Sequence, residues 1–333
     1  MTNITQPLVS IIIPSYNRSN YIEKAIQSAL EQDYPNLEII ISDNCSTDDS
    51  DIIIKKYVHD KRIRYFVNDT NIGMVPNFKI ATEQRAQGKY ITYLCSDDYL
   101  CNTRFISKAI ELTNKYPDII LVNGRRVNFY EDTNQIVQVN TDHIFRQDFM
   151  PGKELFKRFP KWFFPGWGAI LINREKLVQT KVLESRAQSL DYEGNLKLML
   201  QGNIAFLNEP SYVFRRHPHQ ASGTLNLETE INNLDFIENA YAFAKQVYKE
   251  IDLEKWREQV YYTYMNGVAR RLIHKKEQLD EFLNYIKIHK KIQLSFLKSP
   301  RFFILKNYKK FRFLVKLFRP KIYSAIEKDK LYY

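Results

Sequence analysis

Leu8-Val9-Ser10-Ile11-Ile12-Ile13 runs directly into Pro14-Ser15-Tyr16-Asn17-Arg18, and this abrupt change from β-branched to polar residues decides the fold. The change recurs twice. Leu37–Ile41 leads into Ser42-Asp43-Asn44-Cys45-Ser46-Thr47-Asp48, and Tyr90–Leu94 into Cys95-Ser96-Asp97-Asp98. A short apolar run that does not alternate reads as a strand buried on both faces of a parallel sheet. Ligands of open α/β sheets sit beyond the carboxyl ends of such strands. Here those ends carry carboxylates, which repel phosphate. A divalent cation held between carboxylates and a diphosphate removes the conflict, so the pattern points to chemistry on a nucleotide diphosphate.

Helices are expected between the strands. Tyr21–Gln32 places Ile22, Ala25, Ile26, Ala29 and Leu30 on one face. A second helix is expected near Asp49–His59 and a strand at Ile63–Val67. A helix over Asn77–Gln87 follows, with Pro76 at its first position and Gly88 ending it. Arg104–Tyr116 reads as helix and Ile119–Asn123 as strand, which completes a β-α-β-α rhythm over the first 125 residues. Past Gly124 the rhythm breaks. Arg126–Val139 reads as a hairpin or excursion, Gly152–Phe159 as a short helix, Ala169–Asn173 as a strand, Leu190–Gln201 as a helix and Ile204–Phe214 as extended; from about Leu225 the pattern is helical.

The chain has 333 residues, 44% of them hydrophobic and 26% charged, which suits a folded protein of about two domains. No apolar stretch is long enough to span a membrane, and the N-terminus lacks the pattern of a signal peptide. Cys45, Cys95 and Cys101 have no metal-like spacing and read as reduced thiols. The net charge of +11 is uneven: fourteen Lys and Arg against two acids follow from Lys287 onward, whereas the preceding residues hold 35 basic and 36 acidic side chains. A body with no basic excess is not that of a nucleic-acid-binding protein.

Asp97 and Asp98 carry the chemistry. Adjacent carboxylates at a strand end divide the work, one binding Mg²⁺ or Mn²⁺ and the other a ribose hydroxyl or a metal-bound water. Asp43 at the second strand end suits acceptance of the N3–H of uracil or thymine. Its alternative is an N-cap, a task that Ser46 or Thr47 could also perform, with Asp49 supporting the helix dipole.

Ile11–Arg18, Ser42–Asp48, Asn71-Ile72-Gly73 and Gly88-Lys89-Tyr90-Ile91 through Ser96-Asp97-Asp98 resemble, in order and spacing, the successive motifs of family-2 glycosyltransferases. The resemblance is strong over residues 7–125 and weaker over 160–220, and its segment Asn71–Asn77 with Phe78 is similar to O-antigen and capsule enzymes. It implies the α/β GT-A fold, with a mostly parallel sheet flanked by helices, and inverting sugar transfer from a nucleotide-diphosphate sugar. Residues 1–224 would form the transferase domain, with a nucleotide-binding half (1–125) and an acceptor half (126–224). Residues 225–333 would form a helical extension. The resemblance places Pro14, Tyr16, Arg18, Asp43 and Asp97 at the nucleotide and Asp98 on the metal. Asn44 departs from the second Asp common in the family. Leu190-Asp191-Tyr192-Glu193 is similar to the segment that carries the catalytic base, with Leu190 replacing the usual Glu; Asp191 is the expected base and Glu193 the other candidate. In Phe214-Arg215-Arg216-His217-Pro218-His219, His217 matches a metal-binding position and Arg215 and Arg216 are expected at the diphosphate. Trp167, with Trp162 nearby, is expected to stack on an acceptor sugar, beside Glu193.

Beyond Pro300, Ile304, Tyr308, Phe311, Val315 and Phe318 form one helical stripe with Arg301, Arg312, Lys316 and Arg319 opposite. A basic amphipathic helix of this kind suits an anionic membrane interface. The combined expectation is a cytoplasmic enzyme, peripheral on the inner membrane face, that uses Mn²⁺ or Mg²⁺ and a UDP- or dTDP-sugar to glycosylate a polyprenyl-linked acceptor for capsule or lipopolysaccharide. A sugar nucleotidyltransferase would carry a Gly-rich phosphate loop where Pro14–Arg18 stands. A non-catalytic glycan-binding or membrane-scaffolding protein would have lost Asp98 or the base.

Overall fold

Val9–Ser15 forms strand β1, and all seven of its residues are buried. In the computed structural model, which describes residues 6–138, 144–160, 166–218, 220, 226–272 and 275–289, this strand sits inside a ten-stranded sheet. β2 (Leu37–Asp43) and β4 (Tyr90–Tyr93) flank β1, both parallel to it, and β3 (Ile63–Val67) lies parallel outside β2. These strands put Ser15, Asp43 and the Cys95–Asp98 segment at one end of the sheet. The expected α/β sheet is therefore present, and its all-parallel part is the β3-β2-β1-β4 block.

Past β4 the sheet is mixed. β9 (Ile170–Asn173) inserts antiparallel between β4 and β6 (Ile119–Tyr130), and β10 (Asn203–Arg216) runs parallel to β6. β5 (Tyr99–Leu100) and β8 (Phe149–Met150) pair antiparallel with β10. β7 (Gln135–Gln138) folds back on β6 as the expected hairpin. β6 extends well beyond Asn123, because pairing with β10 and β7 carries the strand on to Tyr130. Residues after 125 thus share one sheet with those before it.

The helices begin and end within a few residues of expectation. α1 (Ile22–Leu30) buries Ile22, Ala25, Ile26 and Ala29 against Val9, Ile11 and Ile13. α2 is short, Ser50–Lys55. α3 spans Met74–Ile80 and continues as a π-helical turn, Ala81–Arg85; it begins before Pro76, because Gly73 at φ 88° supplies the turn. The wider π turn delivers Arg85 to Ser42 Oγ (2.6 Å) and to Asn68 Oδ1 (2.5 Å). α4 (Phe105–Lys115), α5 (Gly152–Arg158), α6 (Arg174–Gln179) and α7 (Leu190–Met199) complete this unit.

The chain divides into two compact units between His217 and Pro218. The second contains α8 (Leu227–Asn233), α9 (Asp235–Val247), α10 (Leu253–Arg271) and α11 (Lys276–His289). Phe236, Trp256, Tyr261, Phe282 and Ile286 form its interior, and Glu230, 1% exposed, pairs with Arg271 at 2.6 Å and accepts from Tyr264 at 2.8 Å. No described helix is long and apolar enough to cross a membrane. The amphipathic segment 304–318, the basic tail from 290, Trp162 and His219 lie outside the described residues.

Glu38 locks the end of the sheet remote from Asp43. Its Oε1 accepts from Ser10 Oγ (2.6 Å), Gln87 N (2.6 Å) and Gly88 N (3.2 Å), and its Oε2 from Arg64 at 2.9 Å. Glu38→Ala leaves these buried donors unmatched and is expected to cost about 3 kcal/mol or more in urea unfolding, with nucleotide affinity unchanged, since the opposite ends of β1, β2 and β4 form the site.

Candidate active site

The tight turn after β4 brings Asp97 and Asp98 together, but their surroundings differ. Asp98 is 1% exposed. Its Oδ2 accepts from the Tyr212 hydroxyl at 2.6 Å and its Oδ1 from the Arg215 amide at 2.8 Å. Burial and the charge of Asp97 outweigh these bonds and push its carboxyl well above the usual range. Asp97 keeps 17% of its side chain exposed and meets Arg18 Nε at 3.4 Å and His217 Nε2 at 3.2 Å from Oδ2. Burial works to raise its carboxyl, but the His217 hydrogen bond and the Arg18 charge prevail and hold it below the usual value. The pair is thus split into an ionised member and a strongly raised one.

Tyr212 is the hinge of the arrangement. Its hydroxyl accepts from the Cys95 amide at 3.3 Å while donating to Asp98. Burial and then the Asp98 charge raise its phenol far above normal, so it remains a donor. Cys95 Sγ and single carboxylate oxygens of Asp97 and Asp98 lie within 4.8 Å of one another. Two hard oxygens on a crowded, partly charged pair fit a divalent cation of the Mg²⁺ or Mn²⁺ type, with the thiol as an additional neighbour. His217 is not in this group of three; it serves as the partner of Asp97 and lies against the Tyr21 ring, centroids 4.6 Å apart.

The loops after β1 and β2 are knitted together. Asn17, at φ 52°, accepts the Thr47 amide at 2.8 Å; the Arg18 amide donates to Ser50 Oγ and the Ser19 amide to Asp48 Oδ2. Tyr16 projects, 41% exposed, from the end of β1, whose Pro14 pairs with Ser42. Asp43 is buried: its Oδ1 accepts from Ser46 N (3.0 Å) and Oγ (2.6 Å), and its Oδ2 from Tyr65 at 3.2 Å. As found, it braces its own loop. Asp49, not Ser46 or Thr47, stands at the N-cap of α2, and Asp48 accepts the Ser50 amide at 3.0 Å. Asn44, at the position of the departure, clamps the next turn by donating to Asn71 Oδ1 (2.7 Å) and Gly73 O (3.2 Å) and accepting the Ile72 amide (3.0 Å).

Asp191 stands in the first turn of α7. Its Oδ1 accepts the Tyr192 amide at 2.9 Å. A Cβ at Gly166 would fall 2.4 Å from its Oδ2, so only glycine there leaves room for the carboxylate. Burial raises the Asp191 carboxyl, with the Tyr192 amide and the Arg126 charge opposing.

Three of the expected residues make contacts of their own within the protein. Glu193 is 1% exposed and bound to Lys197 Nζ (2.6 Å) and Ser185 Oγ (2.7 Å) in a buried ion pair. Trp167 is buried, stacks on Tyr93 at 5.0 Å and donates to Asn195 of α7 at 3.2 Å. Arg215 does not join Arg216. Its Nε donates to the Asp97 carbonyl (2.9 Å), its Nη1 pairs with Glu131 (3.1 Å), and its guanidinium lies over Tyr21 and Phe129. Strand alternation sends neighbouring residues to opposite faces. Tyr212, Glu131 and Arg126 were invisible as site residues, because nothing in the sequence distinguishes them from ordinary strand or turn positions.

Residues 10–179 match the family described as Glycosyl transferase family 2. The chain is 46% identical over 99 residues to a putative teichuronic acid biosynthesis glycosyltransferase of Bacillus subtilis, covering 29% of this chain and 38% of that one. It is 41% identical over 96 residues to a GalNAc(5)-diNAcBac-PP-undecaprenol beta-1,3-glucosyltransferase of Campylobacter jejuni, covering 28% of this chain and 31% of that one. Both matches span well under half of those relatives. Among solved structures, S. aureus TarS 1–349 with UDP-GlcNAc superposes with a TM-score of 0.59 at 17% identity, over 88% of this chain and 76% of that one. This likeness establishes a common fold.

The raised Asp191 carboxyl makes a stability prediction. A folded-state value above the unfolded one contributes stability that is present below the unfolded value and lost as pH rises through the folded one. Asp191→Asn is therefore expected to be more stable than the parent at neutral pH, and the gap is expected to close below roughly pH 4. Urea midpoints measured from pH 4 to 8 check the direction.

Proposed function

The chain belongs to glycosyl transferase family 2, and from that premise we propose that it transfers a sugar, with inversion, from a UDP- or dTDP-sugar to a hydroxyl of a lipid-linked glycan in cell-surface polysaccharide assembly. The observation that carries the reading is the placement of two unlike acidic centres in one unit: the split Asp97–Asp98 pair at the end of β4, and Asp191 on α7 with a raised carboxyl.

Each centre has a separate task. Asp191, its carboxyl raised by burial, accepts the proton of the acceptor hydroxyl as that oxygen forms its bond to the anomeric carbon. The electron pair of the breaking glycosidic bond leaves with the nucleoside diphosphate, on the opposite face of the sugar, which is what inverts the anomeric centre. Asp97 and Asp98 would hold Mn²⁺ or Mg²⁺, and the ion when bound offsets the charge that gathers on the leaving diphosphate. Arg18 and His217 fix Asp97, and Tyr212 with the Arg215 amide fixes Asp98, so the carboxylates are oriented before substrate arrives. Pro14 and the exposed Tyr16 at the end of β1 are suited to line the nucleotide pocket.

A uridine nucleotide is supported by the UDP-sugar bound to the S. aureus protein. Asp43 would read the base in this scheme through Oδ2, which among the described residues accepts only the Tyr65 hydroxyl and keeps a second lone pair. A lipid-linked acceptor is supported by the undecaprenol compound in the name of the Campylobacter relative and by the excess of basic residues after Lys287. That excess also suits a position on an anionic membrane face.

A donor screen tests the proposal. Hydrolysis of one UDP- or dTDP-sugar should depend on Mn²⁺ or Mg²⁺ and vanish with chelator, and Asp98→Asn should reproduce the loss. Asp191→Asn should lower transfer by about 100-fold or more while donor affinity stays at the parent value. Full transfer by Asp191→Asn, or undiminished turnover in chelator, would overturn the assignment.

A further inference from the structure

One residue holds both members of the acidic pair, each with a different group. The Arg215 amide donates to Asp98 Oδ1 at 2.8 Å, and its side chain reaches back to donate Nε to the Asp97 carbonyl at 2.9 Å. The turn that presents the two carboxylates is thereby gripped at its main chain and at one carboxylate from a single point on β10. The guanidinium is itself held. Its Nη1 pairs with Glu131 Oε1 at 3.1 Å, and Glu131 Oε2 accepts from the Tyr21 hydroxyl at 3.3 Å. Glu131 follows directly on β6, where its amide donates to the Arg216 carbonyl at 3.2 Å. The register of β6 and β10 sets Phe129 opposite Arg215. The guanidinium carbon lies 5.4 Å from the Phe129 ring centre, 5.1 Å from that of Tyr21 and 5.7 Å from that of Tyr99. Three rings, a carboxylate and a carbonyl surround it, and only 15% of the side chain is exposed. Tyr21 also lies against His217, the partner of Asp97.

An arginine that grips a phosphate offers it the fork of its guanidinium. Here the fork is turned to the protein, with Nε on a carbonyl and Nη1 on a carboxylate. We propose that Arg215 is a positioning residue: it fixes the spacing and direction of the Asp97 and Asp98 carboxylates for a divalent cation, is held to that task by Glu131, and does not contact the donor. The proposal rests on the transferase reading. Two neighbouring carboxylates serve one small ion well only when their oxygens are already aimed, because their mutual repulsion turns them apart unless each is tied. Groups behind the ligands supply such aim, and losing one costs about 10- to 100-fold in metal affinity. Arginine suits the task because one rigid plane bonds a carbonyl and a carboxylate at once, whereas the ammonium of lysine is a single point on a flexible stem. The rings of Tyr21, Phe129 and Tyr99 restrain that plane without competing for its donors.

Mn²⁺ affinity of the full chain, read from the paramagnetic resonance signal of the free ion, separates the possible roles. Charge alone predicts that Arg215→Met binds Mn²⁺ more tightly, since a cation beside the carboxylates has been removed. Positioning predicts the opposite sign, a loss of about 10-fold or more. Arg215→Lys keeps the charge but not the fork, and its Mn²⁺ affinity should also fall below the parent's. UDP affinity, titrated by calorimetry in chelator, should stay at the parent value in Arg215→Met; a diphosphate contact through Arg215 would lower it there. Mn²⁺ binding by Arg215→Met as tight as the parent's or tighter, or a loss of its metal-free UDP affinity, overturns the positioning role and leaves the transferase reading standing. Where Arg215→Met fails to fold, parental Mn²⁺ affinity in Arg215→Lys overturns it instead. A parent chain that binds Mn²⁺ no more tightly than Asp98→Asn does overturns both.

Discussion

Two carboxylates on consecutive residues, sunk into protein at the end of a strand, form the constraint around which the first unit is arranged. Coulomb repulsion between them is large where water is scarce. The fold handles it unequally. Asp97 receives Arg18 and His217 and stays ionised, whereas Asp98 receives only a phenol and an amide and is driven upward. Those four partners come from the loop after β1, from β10 and from the residue just after β10. Strands far apart in sequence are thereby pinned to one point: β10 approaches β4 through Tyr212 and the Arg215 amide, and β1 approaches it through Arg18.

The sequence made the first half of this legible because buried parallel strands leave a strong mark. Ile11-Ile12-Ile13 and Ile39-Ile40-Ile41 read as buried strands, and the polar residues that follow them stand where such strands end. The second half was less legible. β9 joins the sheet antiparallel between β4 and β6, a matter of tertiary pairing that no local pattern encodes. Arg215 and Arg216 looked like one basic motif because they are adjacent, yet adjacency in a strand means opposite faces. Asn44 shows the converse case. It departs from the family pattern, and an amide can donate and accept at once. Asn44 uses both abilities to hold the Asn71–Gly73 turn, which a carboxylate could not do.

A short segment, Gly166-Trp167-Gly168, packs between the elements that carry the acidic centres. Gly166 faces the Asp191 carboxylate, and a Cβ at Gly168 would lie 2.9 Å from the ring of Tyr212, the residue that holds Asp98. Between them Trp167 fills the space with a rigid plane, stacked on Tyr93 of β4 and hydrogen-bonded to Asn195 of α7. One face of the segment therefore meets the strand that leads to Asp97 and Asp98, and the other meets the helix that carries Asp191. In the sequence this packing was not legible, because an indole between two small residues looks equally like a ligand surface and a spacer. Burial decides between them: a stacked and hydrogen-bonded indole cannot adapt to a ligand, but it can keep two rigid elements apart by a fixed amount. A transfer that needs the nucleophile's proton removed on one side of the sugar, while charge leaves on the other, depends on such a fixed separation.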